Sequence, residues 1–60
     1  MMIIYSYEEV KELVNRSYID GFKGRWFHPD SLTQKVKDQL IKSGYKVTEI
    51  SFGTVVQYNI

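Results

Sequence analysis

Residues 21–30 read GFKGRWFHPD. The stretch gathers two glycines, a proline, two cations, three aromatic rings and the only histidine of the chain. Those residue types could support three kinds of chemistry. Cations beside aromatic rings suit phosphate contact combined with base stacking. Trp, Phe and Arg in a cluster suit a protein interface. His28 and Asp30 together could offer two metal ligands or a proton-transfer pair.

Catalysis and metal binding fit poorly. A nucleophile needs a base beside it, and His28 lies in no recognisable elbow or triad context. Glu8-Glu9 is the sole adjacent carboxylate pair. It falls in what reads as the first turn of a helix, where acids offset the helix dipole. The chain has no cysteine, and two ligands fall short of a metal site. Gly21-Phe22-Lys23-Gly24 lacks the spacing of a phosphate-cradling loop. No residue is assigned a catalytic, cofactor-binding or metal-ligating role, and the expected protein is a binder, not an enzyme.

Two sets of binding residues follow. A protein-binding surface would use Arg25, Trp26 and Phe27 as anchors, with Ile50, Phe52 and Val55 as a second patch. A nucleic-acid-binding module would use Lys23, Arg25, Trp26 and His28, helped by Lys46. A third reading makes Phe22, Trp26 and Phe27 the plug at the open end of a small core, with Arg25 stacked on a ring. Net charge bears on the choice. Eight cations against seven anions give +1, too little for a protein that coats DNA with its whole surface, though a local basic patch remains open.

The elements that position these residues are legible from pattern. Residues 2–5, MIIY, read as a short strand. Ser6 and Glu9 have the spacing of a capping box, which starts a helix. Tyr7, Val10, Leu13, Val14, Ser17 and Tyr18 share one face of it, and Asp20-Gly21 ends it. A second helix is expected over residues 30–43, with Pro29 at its start and Ser31 with Gln34 as a second capping box. Leu32, Val36 and Leu40 mark its buried face, Ile41 lies on the flank, and Gly44 follows as a left-handed cap.

Residues 45–60 are β-branched and aromatic with one glycine near the middle, the signature of a hairpin. A two-residue turn at Phe52-Gly53 would place Ile50 opposite Val55 on the outer face. Tyr45, Val47, Val56, Tyr58 and Ile60 would share the inner face, with Glu49 as the misfit. The expected fold is a single compact α+β domain over residues 1–60. Its order is β-α-α-β-β, a short antiparallel sheet with two helices packed on one face. Such a sheet has an open edge, which offers pairing to a second copy or a partner strand.

The longest apolar run, MMII, is far shorter than a membrane span and is followed at once by acids. Together with the lack of cysteine, this leads to the expectation of a cytoplasmic protein with no membrane partner and no cofactor. Size and style resemble those of the short accessory and inhibitor proteins common in phage and mobile-element genomes. That resemblance implies a compact body that occludes or holds a macromolecule, most simply a protein.

Overall fold

A computed structural model describes residues 3–57. Five elements follow one another: α1 (Tyr7–Ile19), β1 (Gly24–Phe27), α2 (Gln34–Lys42), β2 (Lys46–Ile50) and β3 (Gly53–Gln57). The strands form one antiparallel sheet in the order β1-β3-β2. Helix α1 packs against β1, α2 against β2, and the helices against each other. The α+β class, with two helices and a three-stranded antiparallel sheet, is as expected.

The origin of the first strand is not. Residues 3–5 are not part of the sheet; Met2 lies outside the described residues. Tyr5 instead donates its N–H to the Ser31 carbonyl (2.9 Å) and sets its ring edge-on to Phe27 at 5.4 Å. The strand comes from the opening stretch, as Gly24–Phe27. In β1 the alternation is abrupt: Phe27 is buried and Trp26 is exposed.

Both helices begin and end on local signals. Glu9 donates its N–H to Ser6 Oγ (3.2 Å), and Ser6 donates its own to Glu9 Oε1 (2.9 Å), which completes the capping box. At the far end of α1, Gly21 (φ 94°) donates to the Tyr18 carbonyl and Phe22 to that of Ser17. Helix α2 ends on the same pair of bonds, Gly44 (φ 93°) to Ile41 and Tyr45 to Leu40. Both are Schellman motifs, which satisfy carbonyls the helix leaves unpaired and need a left-handed residue past the cap.

The start of α2 differs from expectation. Thr33, not Ser31, is the N-cap, with its Oγ1 accepting from the Val36 N–H at 3.2 Å. Ser31 is buried and donates to the His28 carbonyl at 3.0 Å. This closes a turn with Pro29 in its second position, where a fixed φ is favoured. The turn drops Leu32 into the core before the helix begins. A helix started at Ser31 would have had to forgo that turn and the bond from Tyr5.

The core is one layer. Val10 and Val14 of α1, Leu32, Val36 and Leu40 from the α2 region, and Phe27 and Val56 of the sheet form a single buried cluster. Tyr5, Tyr7, Leu13, Tyr45 and Val47 pack around it. The cluster predicts a sharp contrast between neighbours. Leu40 is wholly buried and Ile41 is 56% exposed. In urea unfolding, Leu40→Ala is expected to cost about 2–5 kcal/mol, whereas Ile41→Ala should stay within about 0.5 kcal/mol. Comparable losses at both positions would contradict this packing.

Candidate functional site

Register decides which residues share each face. Arg25 pairs with Val56 and Phe27 with Thr54; Val47 pairs with Val56 and Glu49 with Thr54. Directly opposed residues point to the same side of a sheet, so these six form the face that the helices cover. The alternate positions form the other face. Across it run three rows: Gly24, Gln57 and Lys46; then Trp26, Val55 and Thr48; then Gly53 with Ile50. No element of the described chain packs on this second face.

The hairpin turn is Ser51-Phe52, not Phe52-Gly53, because Ile50 pairs with Gly53. The pairing is thus shifted by two residues from the expected one, and Val55 faces Thr48 instead of Ile50. A shift of two leaves every side chain on its expected face, because strand periodicity is two. Ile50 and Val55 accordingly do share the open face, as diagonal neighbours. Tyr58 and Ile60 lie outside the described residues.

Glycine at position 53 is not there for a left-handed turn, since the described positive-φ glycines are Gly21 and Gly44. It is there for Trp26. A Cβ on Gly53 would overlap Nε1 of the indole and come within 2.7 Å of the Phe27 carbonyl oxygen. The indole therefore lies directly over the Gly53 backbone. It remains 47% exposed, and Phe52, the residue before Gly53, is 68% exposed. The His28 ring stands edge-on to Trp26 at 6.3 Å.

The expected site residues separate into groups. Trp26, Ile50 and Val55 occupy the open face, and Phe52 occupies the turn at its end. Phe27 is 2% exposed and belongs to the core. Arg25 is exposed on edge strand β1, with its guanidinium over the Phe27 ring at 5.8 Å. Lys23 is exposed just before β1, and Lys46 is exposed on the open face in the row that begins with Gly24. The opening stretch is therefore both things it could be: Phe27 fills the core while Trp26 presents a ring to solvent.

Glu49, the misfit of the hairpin pattern, sits on the covered face and pairs with Lys37 of α2 at 2.5 Å. The Lys37 side chain is only 12% exposed. Lys37 stands three and four residues before Leu40 and Ile41 in the sequence, and that position toward the apolar side of the helix is the available signal for this pair. No comparable pair holds Lys23, Arg25 or Lys46 among the described residues.

Nothing in the described residues gathers three or more metal-ligating side chains. His28 Nδ1 accepts the Asp30 N–H at 3.3 Å, a bond that braces the turn before α2. An open recess of about 280 Å³ lies along α1, lined by Tyr5, Glu9, Glu12, Leu13 and Arg16. One of its two carboxylates, Glu9, is committed to the capping box. No described helix is long and apolar enough to cross a membrane.

Compared with known proteins, the chain matches no family model, no curated protein and no solved structure.

The Trp26–Gly53 contact generates a prediction. Gly53→Ala should cost about 1–3 kcal/mol through overpacking and should shift the emission of Trp26, the single tryptophan. In a Trp26→Ala background the same substitution should cost less, because the indole no longer occupies the space. A double-mutant cycle by urea unfolding reads the difference; strict additivity would mean the two residues do not touch.

Proposed function

We propose that this chain is a small non-enzymatic binding protein that takes a macromolecular partner onto the open face of its sheet. The observation that carries the reading is the seat of Trp26. A tryptophan placed over a glycine backbone, half exposed, with Val55, Ile50 and Phe52 around it, is a preformed contact surface. Scattered exposed apolar residues are ordinary, but a contiguous group on one sheet face marks an interaction site. Trp is also the residue type most enriched at energetic centres of interfaces. The accessory or inhibitor role, in which a compact body occludes its partner, fits such a surface.

The edges of the sheet add a second means of contact. Strands β1 and β2 are both edge strands, each paired with β3 on one side and with no other described strand on the other. A partner on the open face is within reach of either edge, and strand addition is a general mode of recognition.

Amide chemical-shift mapping tests the reading, with the chain titrated by each of two polyanions, an oligothymidylate and an acidic peptide. Shifts should concentrate at residues 24–26, 46–50 and 53–57. Shifts confined to α1 and α2, with the sheet silent, would move the site to the helices and overturn the proposal.

A further inference from the structure

Resting on the open-face reading above, we infer that the partner is a single-stranded nucleic acid, with bases stacked at the Trp26 end of the face and phosphates held at the Lys46 end. The argument begins with how the face is divided. The Gly24–Gln57–Lys46 row lies at one end of the sheet, and Lys23 immediately precedes it. Trp26 lies in the next row, and Ile50, Gly53 and the exposed Phe52 lie beyond it. Rows on one face are two residues apart, about 7 Å along a strand. On this face the cation thus lies at one end, with Trp26 and Phe52 toward the other; the exposed Phe22 precedes β1 beside Lys23.

Charge is sorted in the same sense. None of the chain's seven carboxylates occupies a position on the open face. Six lie on the helices, at their ends or in the turn before α2, and the seventh, Glu49, is on the covered face with Lys37. Lys46 is the one charged residue among the open-face positions, and Lys23 is exposed just before β1 at the same end of the sheet, neither with an ion-pair partner among the described residues. A net charge of +1 therefore conceals a local field that favours an anion.

Two ligand chemistries answer to that field. A run of carboxylates satisfies the cations but brings no planar surface for Trp26, and a peptide must add a ring separately from its charge. A single strand of nucleic acid brings both, because each phosphate is tied to a base with a π-face, and stacking on an aromatic residue tolerates any base. Duplex DNA fits less well, since its bases are already stacked on each other and a ring can reach a base face only by unstacking a step, at a cost in free energy. The observations favour the single strand.

The test is fluorescence anisotropy of a labelled oligothymidylate or oligouridylate of about 12 nucleotides, within the range of single-strand site sizes. Salt is varied from about 50 to 200 mM, with polyglutamate as competitor. Binding should weaken with a log–log slope of about −1.4, the value for two phosphates on a single strand. Lys46→Gln should reduce that slope by about 0.7. Trp26→Leu should weaken binding about tenfold with little change in slope, and Trp26→Phe should retain most of the affinity. Lys46 is exposed, so its variant keeps the fold whatever becomes of the Trp26 series, and circular dichroism checks both. Absence of binding at low salt, indifference to both substitutions, or equal competition by polyglutamate would each overturn the inference. A polyglutamate complex that maps to the open face would overturn the nucleic-acid partner alone. Shifts confined to the helices with both polyanions would overturn the open-face reading as well.

Discussion

Strand β3 is last in sequence and central in the sheet, so neither β1 nor β2 has a hydrogen-bonded neighbour in the sheet until β3 arrives. Val56, wholly buried, pairs with Arg25 on one side and Val47 on the other. The β2–β3 pairing is local and closes over a two-residue turn. The β1–β3 pairing spans about half the chain, and α2 must fold within that interval. A sheet built in this way orders its short edge strand through a contact between distant segments, which makes assembly more cooperative and slower than that of a helical chain of equal length.

The same arrangement leaves one face of the sheet bare. Two short helices are enough to cover three strands on one side. The described elements include no second layer over the other side, and small domains bury only about 60% of the surface they expose when unfolded. The bare face must then be tolerable in water or useful. Thr48, Lys46 and Gln57 make part of it tolerable. Trp26, Val55, Ile50 and Phe52 do not, and a ring fitted over Gly53 is a costly way to cover a glycine when any small residue pair would do. That mismatch between what stability asks and what the residues supply is the physical basis for reading the face as a binding surface.

Local signals were legible in the sequence. The Ser6–Glu9 box, the glycines past each helix and the buried stripe of α2 need only neighbours in sequence, and all appear as read. Pairing was less so. Strand β1 is four residues long and lies between a glycine and a proline turn, too short for alternation to stand out from a loop. MIIY carries the stronger strand propensity, yet Tyr5 is tied by its N–H to the Ser31 carbonyl and by its ring to Phe27, contacts with distant residues that draw the segment away from the sheet edges. The hairpin register slipped by two because Gly53 looked like a turn residue. Its real constraint is a ring that reaches it from β1, which no local pattern records. Thr33 displaced Ser31 as the cap of α2 for a similar reason: Ser31 is held by Tyr5 and His28, both outside the helix.

Strand alternation makes β1 serve two ends at once. Phe27 anchors the core and the adjacent Trp26 faces the other way, so core and open face share a backbone but not a set of side chains. Substitutions on the open face therefore leave the core closed, except at Gly53, where the Trp26 ring and the backbone of the sheet meet. The Lys37–Glu49 pair matters here too. Glu49 is mostly exposed, and without Lys37 its charge would lie one residue from both Thr48 and Ile50 on an edge strand. Pairing it to α2 on the covered side offsets the one carboxylate of the sheet and leaves Lys46, with Lys23, as the charge nearest the open face. On the proposed reading that charge orients an anionic partner and contributes phosphate contact, and the Trp26 ring with the apolar residues around it supplies the rest of the contact.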